Sequence, residues 1–410
     1  MVQKCPKINI NMERKKKNLL MGTLCIIGAV LIHLTFGYFY TIANMVPYIL
    51  SYTKARVDPS VQTQTTVWLS ALALACQGAT MAFGGFVHEK AGFRVVVSLS
   101  CILHSGSVFL TYITIQKSYI GVIITYSVLM GLGLGFGYSV VMAVAAKWFP
   151  KRRFLVVGLV VGGYGLGALV FTPIQTALIN PNNVAVNKDT KLFEDPDVLD
   201  RIPRAFLILG GIIFGGQVIG FLLMSEKKQK DKPDSSNANN NQINVPPKKI
   251  FRKIDFYLLW MLMFLAIIPV TVITSAYKLY GQTHINDDQY LSTVASVSAI
   301  LMPLPLCIVL ILWAVILFTF PHIGLAPPVA LKALYAIWVW ALFLVLSGFT
   351  VGSILCAIVT MFLSAPNIYL LQFSACGGVC LLAFLFAIFL EDKKIIKRLI
   401  AFAVRTHVKS

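Results

Sequence analysis

Long stretches without a charged side chain constrain this chain more than any other feature. Residues 18–50 contain no Asp, Glu, Lys or Arg, and comparable stretches recur along the 410 residues. A helix that crosses the bilayer core needs about 20 mostly apolar residues. Charged residues make up only 12% of the chain, against roughly 25% in soluble domains. The sequence therefore excludes an ordinary soluble enzyme and a disordered chain, and it predicts an all-α polytopic membrane protein.

Six apolar stretches in the amino-terminal half predict six spans, and a polar segment rich in Ser, Asn and Lys separates them from a second hydrophobic half. The six stretches are residues 18–50, 66–87, 95–114, 119–146, 154–178 and 205–224. This order is typical of transporters built from two helical bundles. The predicted units are a basic tail (1–17), an amino-terminal bundle (18–224), a linker (225–255), a carboxy-terminal bundle (256–390) and a basic tail (391–410).

The formal net charge of +19 follows this topology. Most of the 35 Lys and Arg residues fall in the two tails, in the linker and in the loops around Glu89 and Arg152. Basic residues concentrate on the cytosolic side of membrane proteins, so both termini are predicted to be cytosolic. We expect the lipid bilayer and anionic lipid as partners, and no nucleic acid, because the charge lies between apolar stretches. The sequence identifies neither the membrane nor the oligomeric state.

The carboxy-terminal half holds fewer spans than expected, with one predicted span over residues 256–277 and a last one over residues 369–390. Residues 291–320, interrupted by Pro303 and Pro305, and residues 333–363 are each too long for one span and too short for two. Cytosolic termini require an even number of spans, which favours about ten rather than twelve. The bundle over 256–390 is therefore predicted to be incomplete, and one hypothesis is that alternative splicing or a faulty gene model removed two internal segments.

A charged motif follows the second span. Gly85, Glu89, Lys90, Gly92 and Arg94 match the spacing Gly-x-x-x-Asp/Glu-Arg/Lys-x-Gly-x-Arg, and the segment resembles the cytosolic loop of the major facilitator superfamily. Gly85 and Gly92 predict a tight turn, and Glu89 is predicted to pair with a base or to cap a helix. An ordinary charged connector is the alternative.

A second motif is more specific. Residues 131–137 read Gly-x-Gly-x-Gly-x-Gly, and the motif continues with Trp148, Pro150, Arg152, Arg153 and Gly158. The region is similar to the fourth and fifth helices of the monocarboxylate porter and oxalate:formate antiporter branch. A nucleotide-binding loop is the competing interpretation, but its spacing differs and no strand precedes it. Packing of helix backbones is the expected role of these glycines.

The resemblance implies a two-bundle transporter that carries a small organic anion, such as lactate, pyruvate, formate or oxalate, by alternating access, with no enzymatic activity and no cofactor. By the same resemblance, the candidate substrate contacts are Tyr40 and Tyr138, whose hydroxyls can donate to a carboxylate. Asn44 and Gln77 are candidates for further polar lining. Packing or interfacial tyrosines, and helix–helix hydrogen bonds of the two amides, are the alternatives.

Two histidines and eight cysteines complete the candidates. His33 and His104 lie inside predicted spans, where a titratable group is a candidate proton relay, although a neutral packed histidine is the alternative. Seven cysteines lie in apolar stretches and the eighth, Cys5, in the basic tail. No metal-site spacing of Cys and His and no catalytic constellation is present, so no metal site or catalytic residue is predicted.

The family's cationic side chains in the carboxy-terminal bundle, an Arg on the eighth helix and a Lys on the eleventh, have no counterpart in the apolar stretches here. No Asp, Glu, Lys or Arg lies between Gln289 and Leu331, or between Ala333 and Leu390. A buried substrate carboxylate needs a compensating charge. The sequence therefore favours exchange or uniport over proton symport, and it leaves open a non-transporting truncated isoform that acts through membrane protein association.

Overall fold

The computed structural model describes residues 6–227, residues 254–298 and Leu382, and all regular structure within this part of the chain is helical. The amino-terminal half contains α1 (Pro6–Phe36), α2 (Ile42–Arg56), α3 (Val67–Ala91), α4 (Phe93–Thr114), α5 (Tyr119–Val122), α6 (Met130–Ala146), α7 (Arg153–Ile179) and α8 (Pro196–Leu223). The carboxy-terminal half contributes α9 (Ile254–His284) and α10 (Asp288–Ser298).

All six predicted amino-terminal spans contain helices, which confirms the predicted fold class. Five helical stretches are long and apolar enough to cross a membrane: Lys16–Arg56, Phe93–Thr114, Tyr119–Ala146, Leu155–Ile179 and Pro196–Leu223. A sixth is formed by the pair Thr63–Met81 and Phe83–Ala91, which bends by 41°. A short π-helical segment, Ile123–Leu129, joins α5 to α6 within the span that begins at Tyr119.

The uncharged stretch predicts one continuous helix for the first span, but the structure contains two helices there. A 3₁₀ turn, Gly37–Thr41, separates α1 from α2. At this turn α1 meets α7 with no room for side chains, because a Cβ on Gly37 would collide with the carbonyl of Tyr164 and a Cβ on Gly167 would collide with the backbone of Gly37. This close approach places the polar residues after Gly37 against α7.

The glycine-rich segment of α6 packs as the sequence predicts. A Cβ on Gly131 would collide with the carbonyl of Ala73, and a Cβ on Gly133 would lie 2.6 Å from the backbone nitrogen of His104. These glycines therefore let α6 approach α3 and α4 at backbone distance. The packing role predicted for them is confirmed.

The prediction that Gly85 helps to form a turn is wrong. α3 continues through Gly85 to Ala91, and only Gly92, whose φ is +81°, lies in the left-handed region that ends the helix. A single left-handed residue is enough to start α4 at Phe93, so the chain needs no second turn residue.

The two halves meet at one end of the bundle, which we call the distal end. It contains the connections at residues 57–66, 115–118, 180–195 and 285–287. Here α9 packs against α2 and α3, and α10 packs against α7. The opposite end carries residues 147–152 and 224–227, where Lys147 forms an ion pair with Glu226 at 2.8 Å.

Several predictions fall on other parts of the chain. The ten-span count, the incomplete carboxy-terminal bundle beyond residue 298, most of the linker and the basic tail over 391–410 lie outside the described residues. The domain boundaries and the cytosolic placement of the termini stay predictions.

Candidate functional site

A buried cation lies between the two halves. Lys278 belongs to α9, which continues past the predicted end of its span at residue 277 and ends at His284. The helix extends because no proline interrupts residues 278–284 and because a polar stripe at Thr271, Ser275, Lys278 and Gln282 recurs with helical spacing. The Lys278 side chain has no exposed surface.

Four acceptors lie around the ammonium group of Lys278, of which the Tyr48 hydroxyl, at 3.5 Å, is the most distant. Lys278 Nζ lies 2.8 Å from Asp288 Oδ1, and it donates to Asn44 Oδ1 at 2.7 Å and to Ser292 Oγ at 3.2 Å. Nζ also lies 4.5 Å from the centre of the Tyr48 ring. Since an ammonium group has three N–H donors, these contacts use all of them.

Asp288 is the first residue of α10, and it is only 3% exposed. Its Oδ2 accepts hydrogen bonds from the Tyr48 hydroxyl and, at 3.0 Å, from Asn180 Nδ2. Gln282 Nε2 lies 3.5 Å from the other oxygen. A buried carboxylate is costly unless it is paired and hydrogen-bonded, and Asp288 has both kinds of partner.

Asn44 connects this pair to α7. Its Nδ2 donates to Gln175 Oε1 at 2.9 Å, while its Oδ1 accepts from Lys278 and from Ser292. Gln175 in turn donates to Thr41 Oγ1. Of the two alternatives predicted for Asn44, the helix–helix hydrogen bond is present, and polar lining of a substrate path stays a prediction. We call Asn44, Tyr48, Asn180, Lys278, Asp288 and Ser292 the charged cluster.

The charged cluster supplies a buried cation and a buried acid, both of which the sequence interpretation finds absent from the apolar stretches. The apolar stretches beyond Gln289 contain neither, but Lys278 and Asp288 flank the short distal connection and both are buried. The argument against proton symport rested on that absence, so it no longer holds. Both charges come from the carboxy-terminal half, and their neutral partners Asn44, Tyr48 and Asn180 come from the amino-terminal half.

A second set of polar residues includes Tyr40, which lies one helical turn before Asn44 in the sequence. Tyr164 is its centre: the ring centroids of Tyr40 and Tyr138 lie 4.8 and 5.2 Å away. The imidazole of His33 lies 5.0 Å from the Tyr138 ring. We call His33, Tyr40, Gln77, Tyr138 and Tyr164 the aromatic cluster.

Several polar atoms of the aromatic cluster are buried without a hydrogen-bond partner among the described residues. They are His33 Nε2, the Tyr164 hydroxyl and both polar atoms of the Gln77 amide. His33 uses its other nitrogen, Nδ1, to donate to the Ala29 carbonyl at 3.2 Å. Buried polar groups are normally paired, so these four atoms are available to a polar ligand.

The structure brings the predicted substrate contacts into two groups. Tyr40, Tyr138 and Gln77 belong to the aromatic cluster, whereas Asn44 belongs to the charged cluster. Of the two candidate proton relays, His33 lies in the aromatic cluster. His104 is buried on α4, where its Nδ1 accepts from Gln217 Nε2 at 2.8 Å and its ring packs against Phe36 at 5.3 Å. No acid or base contacts either histidine within the described ranges.

The motif residues lie away from both clusters, at the end opposite the distal end. Glu89 is exposed and forms no ion pair within the described residues, whereas Lys90 lies 4.4 Å from the Phe86 ring and Arg94 is exposed. Trp148 Nε1 donates to the Ser225 carbonyl at 2.8 Å, which ties this loop to the start of the linker. Pro150, Arg152 and Arg153 are exposed, and no atom lies within 4 Å of a Cβ built on Gly158.

The sequence interpretation missed Lys278, Asp288, Asn180, Tyr48 and Tyr164. One signal for Lys278 was available: it continues the polar stripe that begins at Thr271, so the helix could be extended past residue 277. Asn180 follows α7 and Asp288 begins α10, and neither gave such a signal because they meet only through packing of α7 against α10.

Comparison with known proteins decides the family. The family model described as Major Facilitator Superfamily matches residues 25–368. This chain belongs to the Major Facilitator Superfamily. The members with which it shares sequence are transporters and carriers, so the prediction that it is not an enzyme is confirmed.

Curated relatives confirm the predicted resemblance to the monocarboxylate and oxalate:formate branch. The chain is 25% identical over 240 residues to apicoplast pyruvate carrier 1 of Toxoplasma gondii, covering 48% of this chain and 44% of that protein. It is 35% identical to human monocarboxylate transporter 11 over 28% of this chain and 24% of that one. It is 31% identical to the oxalate:formate antiporter of Oxalobacter formigenes over 25% and 23%. The chain spans less than half the length of these relatives.

Solved structures agree on the fold. The inward-open xylose transporter of Escherichia coli superposes with a TM-score of 0.61 at 14% identity, covering 90% of this chain and 95% of that chain. A bacterial homologue of the human drug peptide transporters also gives a TM-score of 0.61, at 13% identity, over 92% and 99%. This superfamily member is therefore a multi-pass integral membrane protein.

Proposed function

We propose that this superfamily member transports small organic anions of the monocarboxylate class, and that Lys278 binds the substrate carboxylate. The observation that carries the proposal is a fully buried ammonium group at the contact between the two halves. The relatives named as pyruvate, monocarboxylate and oxalate:formate transporters support an anionic substrate. Lactate, pyruvate, formate and oxalate are the candidates.

A substrate carboxylate must exchange with groups already bound to Lys278, because all three donors are in use. Exchange with Asp288 conserves charge at the ammonium group, since one carboxylate replaces another. Asp288 then keeps the Tyr48 and Asn180 donors, which reduces the cost of losing its cation. The charged cluster thus supports competition between an internal and an external carboxylate.

The aromatic cluster supports binding of the rest of the substrate. Its orphaned amide, imidazole and hydroxyl atoms offer donors and acceptors without a further charge. We place the carboxylate of the substrate at Lys278 and the rest of a larger anion, such as pyruvate or lactate, toward Tyr40 and Tyr164. Small anions that carry an oxygen outside the substrate carboxylate suit this arrangement better than anions whose remainder is purely aliphatic.

Alternating access is part of the proposal. The hydrogen bonds that Lys278 donates to Asn44, and that Tyr48 and Asn180 donate to Asp288, cross between the halves at the distal end. Opening that end requires those bonds to break, and a substrate that displaces Asp288 from Lys278 removes the charge pair at their centre. Binding would thereby change the balance between closed and open states.

Uptake into proteoliposomes tests the proposal. Labelled pyruvate, lactate, formate and oxalate are each offered to the reconstituted chain, and we expect saturable uptake of at least one. Lys278→Gln should lower kcat/KM for that anion at least 100-fold, because a desolvated carboxylate loses its only buried cation within the described residues. Lys117→Gln, at an exposed lysine on a distal connection, is the matched control and should leave uptake unchanged.

Two outcomes reject the proposal. Uptake by Lys278→Gln at the control level would remove Lys278 from the substrate site. Absence of uptake for all four anions by folded protein would reject transport and favour the isoform that acts through membrane protein association. Co-purification with a membrane partner would then be the expected observation.

A further inference from the structure

A cavity of about 300 Å³ lies at the distal end, on a different face of α9 from Lys278. Its walls come from both halves: Leu50 and Val67 face Val272, Ala276 and Leu279. The volume is at the lower end of the ~300–1,000 Å³ that small-molecule sites occupy. Neither cluster described above contributes a residue to it.

The lining has one apolar part and one polar part. The apolar part is formed by side chains of α2, α3 and α9, and the polar part by Thr63, Gln64, Thr190, Lys191 and Thr283. Lys191 is the single charged residue of the lining. An apolar wall with one cation at its edge suits a ligand with an apolar chain and an anionic head.

The loop that carries Lys191 is a built structure. Lys191 has a φ of +56°, and the loop closes through Asn187 N to the Leu192 carbonyl and Lys191 N to the Asn187 carbonyl, both at 2.9 Å. Side chains of Asn187 and Thr190 donate to Glu194 at 2.8 Å, and these bonds lower the pKa of the Glu194 carboxyl. The Glu194 carboxylate is therefore occupied by hydrogen bonds within the loop.

Lys191 has no ion-pair partner in the described part of the chain, although the acidic side chains of Asp189 and Glu194 belong to the same loop. Phe193 anchors the loop: it is buried, its backbone N donates to Ser51 Oγ at 2.9 Å, and its ring stacks on Tyr48 at 5.0 Å. These contacts fix the backbone that carries Lys191 beside the cavity.

We propose that this distal cavity is a second ligand site, distinct from the substrate site, that binds a medium-chain carboxylate with its head at Lys191 and its chain between α2, α3 and α9. The site matches such a ligand in three respects: a cation without an ion-pair partner in the described residues, the Gln64 amide in the same lining, and an apolar wall formed by α2, α3 and α9. Ligand contacts to both halves also require the distal end to be closed.

Equilibrium binding of radiolabelled octanoate to the full chain in nanodiscs, with empty nanodiscs subtracted, tests the site. We expect saturable binding that tightens about fourfold for each methylene added from hexanoate to octanoate. Ala276→Phe, which fills the apolar part, should weaken binding at least tenfold. Lys191→Gln should weaken it about fivefold, and Lys188→Gln, an exposed lysine of the same loop, should not change it.

The controls separate this site from the substrate site. Tyr138→Phe should leave octanoate binding unchanged, and excess pyruvate should not displace octanoate. Absence of saturable binding would overturn the proposal, as would binding that survives both Ala276→Phe and Lys191→Gln or that is lost in Tyr138→Phe. Lys191→Gln lies on a loop, so it decides the matter even if Ala276→Phe fails to fold. Binding is measured without transport, so its result is independent of the uptake experiment.

Discussion

The charged cluster and the aromatic cluster differ in how completely their buried polar groups are hydrogen-bonded. In the charged cluster every donor of Lys278 has an acceptor, and both oxygens of Asp288 have donors. In the aromatic cluster the Gln77 amide, the Tyr164 hydroxyl and His33 Nε2 have no partner in the described residues.

This difference follows from where the residues come from. The charged cluster joins the two halves, so its hydrogen bonds stabilise the closed distal end. The aromatic cluster is built from α1, α3, α6, α7 and the turn after α1, all within the amino-terminal half. Its orphaned groups cost free energy in this state, and a polar ligand would recover part of that cost. One cluster holds the structure closed, whereas the other is suited to binding.

The largest effect is expected from breaking the buried pair. Asp288→Ala leaves Lys278 buried without its anion, which should lower the free energy of unfolding by ~3–5 kcal/mol. Thermal unfolding of the purified protein measures the change. Asp189→Ala, on an exposed loop, is the control and should stay near the wild-type value.

A double variant sharpens this result. Lys278→Met combined with Asp288→Leu removes both charges and should recover more than half of the loss, because a buried pair replaced by apolar side chains is often neutral in stability. If Asp288→Ala were as stable as the wild type, Lys278 would not depend on Asp288 for its burial.

An intermediate effect of opposite sign is expected in the aromatic cluster. Gln77→Leu removes two orphaned buried atoms, so it should raise the free energy of unfolding by ~1–2 kcal/mol. The same change should raise KM for a transported anion about tenfold if the amide contacts substrate, which corresponds to ~1.4 kcal/mol. Unfolding curves and uptake kinetics on one preparation measure both quantities.

Gln175→Leu is the matched control for that variant. Gln175 is equally buried, but its amide accepts from Asn44 and donates to Thr41. Its loss should therefore destabilise the protein, and equal signs for the two Gln→Leu variants would contradict the distinction between satisfied and orphaned amides.

The smallest effect is expected at the surface. Arg56 and Asp200 form an ion pair at 3.2 Å at the distal end, with side chains 47% and 69% exposed. Arg56→Gln should change the free energy of unfolding by no more than ~0.5 kcal/mol, because solvent screens an exposed pair. Chemical denaturation of Arg56→Gln and Asp288→Ala side by side compares an exposed ion pair with a buried one. Similar losses of unfolding free energy in the two variants would contradict the importance of burial.

Much of the fold was predictable because it depends on local patterns. The length of uncharged stretches specified the six amino-terminal spans, and the glycines of α6 indicated close helix packing before any contact was known. The 3₁₀ turn at Gly37–Thr41 was not predictable from hydropathy, since it arises where Gly37 meets Gly167, 130 positions along the chain.

The candidate site was predictable only in part. Tyr40 and Tyr138 came from a resemblance, and the structure adds Tyr164 between them. Lys278 was read as the residue after a span because hydropathy favours ending a membrane helix at the first charge. Its burial depends on Asp288, Asn44 and Ser292, which come from two other elements and are invisible to a pattern within one helix.

The amino-acid sequence by itself determined the membrane class, the helical content, the basic charge distribution and the branch resemblance. These properties depend on composition and on the spacing of residues that lie near one another in the chain. Only the tertiary structure decided that a cation is buried between the halves, that its donors are all occupied and that Asn44 and Gln77 have different roles. Burial and hydrogen bonding depend on which helices meet, and α9 and α10 meet α2 and α7 across more than 100 residues of chain.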